Sequence, residues 1–437
     1  MKKTSFNELK TFSIITLGCK VNTYESNIIK NDLLSLGLIE VPFNTNSDLA
    51  IINTCSVTNT ADAKSRNMIR RIKNNFPDAI ILVCGCYSQV NSEEIKQDFG
   101  IDILLGNKYK NNIVEVLNSF FKSNKQLVKI DNLLLEKEFE NNKIEIYKDK
   151  TRAFVKIQDG CNFMCSYCII PFTRGRQRSK DFNSLINEIQ TLIANGYKEI
   201  VLTGVNTAGY ISGDKDFYTL LTTINEIPGD FRVRISSIEP FQISNKIIEL
   251  ICHNPNRFAQ HWHICLQSGS DSILAKMNRK YTTTDFLNLV NNIYKINPNS
   301  AITTDYICGF PGETDEDHEK SILFLKEVGF AKIHVFPYSK RSFTPAAKLK
   351  QVPDKIKSSR VHDILELSNN LEKKFVKKFL NKKVDVLFEK HENNINIGHA
   401  SEYFMVYLKS DIDYTNTIQS VQIVEIFLEK CFSKIFS

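Results

Sequence analysis

Three cysteines within eight residues carry the most specific chemistry in this sequence. Cys161, Cys165 and Cys168 form C-x3-C-x2-C in QDGCNFMCSYCIIPFTRGR. Thiolates spaced this way on one tight loop can each ligate one iron of a cubane cluster, leaving the fourth iron without a protein ligand. Structural zinc takes C-x2-C pairs plus two further ligands, and neither a second pair nor a closing histidine pair follows. Packing alone does not account for the neighbouring Gly160, Asn162 and Arg174. A second set is dispersed: Cys19 in LGCKVN, Cys55 in NTCSVTNTAD and Cys86 in GCYSQ, each just after an apolar run. One cysteine after one strand is ordinarily a packed side chain. Three at equivalent ends of parallel strands reach one sheet edge, which again makes three thiolates and an open iron.

The elements that must position these residues follow from periodicity. Short apolar runs at 12–18, 49–55, 79–86 and 102–106 alternate with amphipathic stretches of helical length. That alternation predicts parallel βαβ units in a Rossmann-like domain over 10–124, followed by a Lys- and Glu-rich linker. Six further strand–helix repeats begin at 154, 199, 232, 263, 301 and 332, and predict a partial (β/α)6 TIM-type barrel over 147–375. Their C-terminal ends carry QDGC, TGVN, SSIEP, LQSGS, GFPGE and PYSKR, on the rim where such barrels bind ligands. GFPGE lacks the following Lys-Ser or Lys-Thr of a P-loop and reads as a tight turn. After a helix at 354–380, the runs 384–388, 402–408 and 421–427 predict a small all-β domain over 376–437. The fold class is therefore α/β multidomain.

Composition sets the outer bounds. The 437 residues are 42% apolar and 24% charged, which excludes disordered, collagen-like and low-complexity classes. Eleven cysteines, an odd number, do not make a fully paired secreted framework. No run of 18 apolar residues and no signal-peptide core is present, so the expected location is cytoplasmic, with reduced thiols and no membrane. Cys84, Cys252, Cys265, Cys308 and Cys431 read as packing, and the eight histidines show no metal-ligand spacing. The net charge of +7 suits a phosphate backbone, but a solvated lysine face is the commoner explanation for any single basic run.

LGCKVNTYES, NTCSVTNTADAKSR, GCYSQ, DGCNFMCSYCIIPFTRGRQRS, EIVLTGVN, RISSIEP, LQSGSDSILAKMNRKYT, DYICGFPGET and FPYSKRSFTPAA together resemble the radical S-adenosylmethionine methylthiotransferase family. The first two are most similar to the branch acting on threonylcarbamoyladenosine in tRNA. The resemblance implies two 4Fe-4S clusters and S-adenosylmethionine as cofactors. Cys161, Cys165 and Cys168 would hold the radical-generating cluster, and Cys19, Cys55 and Cys86 the auxiliary cluster that takes part in sulfur insertion. It also places Tyr167 near the cofactor adenine and Glu199 near the cofactor amine, although Glu199 could equally be a solvated helix-end charge. Ser236, Ser237, Glu239, Gln267 and Ser268 become rim residues, and Arg174 and Arg234 candidates to meet a carboxylate or phosphate.

The final domain resembles a TRAM domain, an OB-like RNA-binding barrel, with DIDYTNTIQS replacing the usual glycine turns. Tyr403, Phe404 and Tyr407 could stack on bases or fill its core. The implied reaction adds a methylthio group at C2 of N6-threonylcarbamoyladenosine beside the anticodon. Its partners would be the tRNA anticodon stem-loop, an electron donor such as flavodoxin or ferredoxin, and a sulfur source. The alternatives are methylthiolation of N6-isopentenyladenosine in tRNA or of a ribosomal-protein aspartate. A non-enzymatic iron–sulfur carrier would not need six decorated barrel strands.

Overall fold

The β-branched apolar runs become strands and the amphipathic stretches between them become helices. The computed structural model describes residues 2–123, 125–140, 142–147, 151–427 and 430–434. The expected domain limits 124 and 437 lie outside the described residues. β1 (Thr11–Thr16), β2 (Ile39–Glu40), β3 (Leu49–Thr54), β4 (Ile80–Gly85), β5 (Ile103–Leu105) and β6 (Leu127–Lys129) form one parallel sheet in the order β2-β1-β3-β4-β5-β6. Alternation in β3 and β4 sends Leu49, Ile51, Leu82 and Cys84 into one apolar core and Ala50, Ile52, Ile81 and Val83 into the other. Burial on both faces is why these strands read as continuous apolar runs. The start of the expected linker supplies β6, so the sheet runs past residue 124.

The barrel series comprises β7 (Arg152–Lys156), then β10 (Glu199–Thr203), β13 (Arg232–Ile235), β14 (His261–His263), β15 (Ala301–Cys308) and β16 (Lys332–Pro337). Between β7 and β13 lie two short antiparallel pairs, β8 (Gln158–Asp159) with β9 (Arg178–Ser179) and β11 (Ile211–Ser212) with β12 (Lys215–Asp216). Parallel pairing gives β7-β10-β13 and β14-β15-β16. The parallel bridges Val233↔Phe258 and Ile238↔Ile264 join the two halves into the expected six-stranded partial barrel. The fourth strand lies earlier than its apolar run suggested, at His261–His263, which leaves Cys265 beyond the strand.

A helix at Asp354–Lys377 leads into β17 (Lys383–Glu392), β18 (Ile395–Ala400), β19 (Met405–Lys409), β20 (Ile418–Phe427) and β21 (Lys430–Lys434). They close into a barrel in the order β17-β18-β19-β21-β20, so no strand edge is left open. Asparagine takes the left-handed positions that glycine usually fills, at Asn393 (φ 51°), Asn394 (φ 60°) and Asn416 (φ 62°).

The chain forms two units. The first contains residues 1–144, 158–164 and 168–181, and the second 145–157, 165–167 and 182–437. No helix among the described residues is long and apolar enough to cross a membrane.

Gly85 turns the chain from β4 directly onto Cys86, at φ 103° and ψ −166°, a conformation open essentially to glycine alone. A Cβ there would stand 2.3 Å from the Thr54 carbonyl oxygen. Gly85→Ala is expected to cost about 3 kcal/mol, read as a fall in the urea midpoint followed by circular dichroism.

Candidate active site

Parallel pairing of neighbouring strands brings three cysteines of the first unit to one sheet edge. Thr16 of β1 lies opposite Asn53 of β3, and Thr54 lies opposite Gly85 of β4. Cys19, Cys55 and Cys86 follow those strand ends within three residues. Their loops meet: a Cβ on Gly18 would stand 2.7 Å from the Cys55 sulfur. Burial first, then the adjacent Cys86 thiol, pushes the Cys55 thiol up to about 12, with Cys19 adding to the effect. Three converging thiols are a donor set for a metal cluster with one external ligand. Asn107 donates to the Cys86 sulfur at 3.7 Å and to the Thr173 carbonyl at 2.6 Å. Cys84, two residues before Cys86, is fully buried in the sheet core.

A buried ionic network surrounds this set. Arg174 donates to Glu25 at 2.8 Å, to Asp159 at 3.2 Å and to the Asn22 side-chain oxygen at 2.6 Å. Lys110 pairs with the same Glu25. Asn22 in turn donates to the carbonyls of Leu17 at 2.7 Å and Thr54 at 3.0 Å, the backbone leading to Cys19 and Cys55. The carboxylates expected to meet Arg174 are thus the protein's own.

Cys161, Cys165 and Cys168 occupy one irregular loop after β8, with Cys165 buried and its two companions half-buried. Gly160 (φ 70°) starts it, where a Cβ would fall 2.0 Å from the Arg176 carbonyl oxygen. The Phe163 amide donates to the Cys161 sulfur at 3.5 Å. In the second unit Arg279 donates to the Cys165 sulfur at 3.3 Å while pairing with Glu239. Sulfur atoms that accept amide and guanidinium hydrogens suit iron–sulfur ligands.

The Tyr167 ring stands edge-on to Phe310 with centroids 6.5 Å apart. Gln267 is buried with φ 69°, and its amide donates to the Asp305 carbonyl. Ser236 is buried and Ser237 half-buried just after β13. Burial pushes the Glu239 carboxyl up against the pull of Arg279.

Two features escaped the sequence. Arg279 sits in a turn after a short helix, with no strand end or spacing to mark it. His263, Cys265 and Asp305 come from separate positions yet bring donor atoms within 4.8 Å of one another, with His263 Nδ1 3.0 Å from the Thr303 hydroxyl.

Glu199 requires a correction. It opens β10, at the opposite end of the strand from the TGVN rim, and is neither solvated nor placed for a cofactor amine. Its carboxylate is fully buried between Arg232 and Arg234. Those arginines also donate to the carbonyls of Asp385, His399, Ala400 and Ser401, docking the small barrel beneath the (β/α)6 barrel. Tyr403 belongs to the same junction, stacked on His261 at 4.4 Å. Phe404 packs in the small barrel's core, so neither aromatic is presented for base stacking. Tyr407 is half-buried beside Phe432.

Comparison with known proteins gives matches along the chain. Residues 11–106 match the model described as "Uncharacterized protein family UPF0004", and residues 155–325 match the Radical SAM superfamily. A threonylcarbamoyladenosine tRNA methylthiotransferase of Bacillus subtilis (strain 168) is 38% identical over 426 residues, covering 95% of this chain and 94% of that protein. A tRNA-2-methylthio-N(6)-dimethylallyladenosine synthase of Acetivibrio thermocellus is 34% identical, covering 97% and 90%. Among solved structures, the radical S-adenosylmethionine methyltransferase TsrM of Kitasatospora setae shares the fold at a TM-score of 0.57, with 13% identity over 77% of this chain and 73% of that one.

Glu199 permits a test that separates packing from cofactor binding. Burial alone would raise its carboxyl, but Arg234 and Arg232 outweigh that and hold it well below the usual carboxylate range. A depressed carboxyl stabilises the fold above its unfolded value, near pH 4.5, and the benefit fades as pH falls toward the folded value. Glu199→Gln should cost about 3–5 kcal/mol at pH 7 and flatten the acid limb of the stability profile. Calorimetry across pH reads both, while S-adenosylmethionine affinity of the folded fraction is expected to stay unchanged.

Proposed function

Since the chain belongs to the radical S-adenosylmethionine methylthiotransferase family, we propose that it adds a methylthio group to C2 of N6-threonylcarbamoyladenosine beside the anticodon of tRNA. The observation that carries the reading is the pairing of two three-cysteine sets, one on converging strand ends and one on a C-x3-C-x2-C loop. Each set leaves one iron of a 4Fe-4S cluster open. Relatives named for the threonylcarbamoyl substrate, including that of Bacillus subtilis at 38% identity, support the branch.

Cys161, Cys165 and Cys168 would hold the radical-generating cluster, and Cys19, Cys55 and Cys86 the auxiliary one. Bound there, the two groups would supply the electron for cleaving S-adenosylmethionine and the site through which sulfur is inserted. Tyr167, Ser237 and Gln267 line the rim and would cradle the nucleoside cofactor. The Gln267 backbone is held in the left-handed region, a conformation that local packing must maintain and that functional rims commonly retain. The target adenosine must leave the anticodon stack to reach that rim.

The division 10–124, 147–375 and 376–437 assigns one part to each cluster and one to RNA. The closed C-terminal barrel, of TRAM type, follows the lysine-rich segment 371–383 and offers a basic approach for the tRNA backbone. A one-electron donor of the flavodoxin or ferredoxin class and an external sulfur source complete the partners, in the cytoplasm.

Nucleoside mass spectrometry of tRNA from a deletion strain should lose 2-methylthio-N6-threonylcarbamoyladenosine and regain it on complementation. Loss of the dimethylallyl derivative instead would move the chain to the other branch. Anaerobically reconstituted Cys161→Ala and Cys19→Ala proteins should each bind about half the wild-type iron, since each loses one of two equal clusters. Full iron in both would sink the ligand assignment.

A further inference from the structure

We infer that Arg279 sets the reduction potential of the radical-generating cluster by donating a hydrogen bond to the Cys165 thiolate. This rests on the reading of Cys165 as a cluster ligand.

A guanidinium has five N–H donors, and at Arg279 five acceptors receive them. Nη1 donates to the Cys165 sulfur at 3.3 Å and the Tyr167 hydroxyl at 3.5 Å. Nη2 donates to the Glu239 carboxylate and, at 3.1 Å, to the Cys265 carbonyl. Nε donates to the Tyr281 hydroxyl at 3.0 Å, and the Tyr281 ring lies 5.0 Å from the guanidinium carbon. Tyr281 is itself fixed, its hydroxyl reaching the carbonyls of Cys265 and Leu266 at 2.6 Å. No fork is left open to grip the carboxylate of a bound small molecule. Swinging the guanidinium away would strand Glu239, whose side chain is only 15% exposed.

The arginine is therefore a fixed cationic donor aimed at one sulfur. One-electron reduction adds negative charge to an iron–sulfur group, and hydrogen bonds to its sulfurs together with local charge are what the protein uses to set its potential. With the side chain only 3% exposed, solvent screens that charge weakly. Glu239 neutralises part of it but sits on the other nitrogen, so the positive end of the pair still faces sulfur. The reduced state gains more than the oxidised one, and the potential rises toward the reach of a biological one-electron donor. Arg279 acts through the Cys165 sulfur, as a positioning and tuning residue.

The test uses full-length protein carrying Cys55→Ala, so that the radical-generating cluster alone reports, with Arg279→Lys and Arg279→Gln added. Iron content and a redox titration read by electron paramagnetic resonance are compared with the parent. Arg279→Gln should lower the reduced-to-oxidised ratio at fixed potential at least tenfold, a 59 mV fall for one electron. Arg279→Lys, which keeps charge but loses the fork, should fall between. An unchanged midpoint in iron-loaded variants overturns the proposal, as does weakened S-adenosylmethionine binding at an unchanged midpoint. If Arg279→Gln fails to load iron, the midpoint of Arg279→Lys decides. Full iron in Cys165→Ala would instead refute the ligand reading itself, so the two failures are distinct.

Discussion

A guanidinium removed from water must bring its counter-charge with it. Losing one partner of a buried pair leaves an uncompensated ion that costs about 3–5 kcal/mol. Three such pairs organise this chain. Arg174 with Glu25 and Asp159 ties the loops that carry Cys19 and Cys55 to the segment after Cys168. Arg279 with Glu239 presses on the Cys165 sulfur. Arg232 and Arg234 share Glu199 beneath the barrel strands. Each pair uses its remaining donors on backbone carbonyls or side-chain acceptors, so it fixes chain segments as well as charges. The apolar cores account for the strands and helices, and the ionic pairs fix the loops between them.

Much of this was legible in the sequence because the chemistry leaves few choices. The two three-cysteine sets stand out because their spacing survives in the sequence, as C-x3-C-x2-C or as strand-end positions. Strands buried on both faces must be apolar throughout, so 49–55 and 79–86 announced β3 and β4 to within a residue or two. The barrel strands announced themselves in the same way, except the fourth, which lies at His261–His263, ahead of its apolar run. Asn416 explains how the glycine-poor C-terminal barrel still turns, since asparagine tolerates the left-handed region.

What stayed hidden depends on which polar residues fold inward. Glu199 reads as a charge at the edge of a strand, and only the approach of Arg232 and Arg234 makes it a buried anchor. Tyr403 carries the ring expected to stack on bases, yet it stacks on His261. Arg279 and Asp305 fall inside LQSGSDSILAKMNRKYT and DYICGFPGET, but nothing local gives their roles, because Cys165, Glu239 and His263 reach them from distant segments. A binary apolar–polar reading assigns such residues to the surface, and it fails where one ion is the burial partner of another.

The docking of the small barrel has a consequence for modularity. Four of its carbonyls, at Asp385, His399, Ala400 and Ser401, complete the hydrogen bonding of Arg232 and Arg234. The terminal barrel is therefore no interchangeable appendage: excising it would expose the floor of the neighbouring barrel with two cations short of acceptors. Exchange of this segment between relatives succeeds only with a loop that turns its backbone oxygens the same way, whatever its own sequence. Inheritance of the terminal barrel is thus coupled to inheritance of the (β/α)6 barrel's underside.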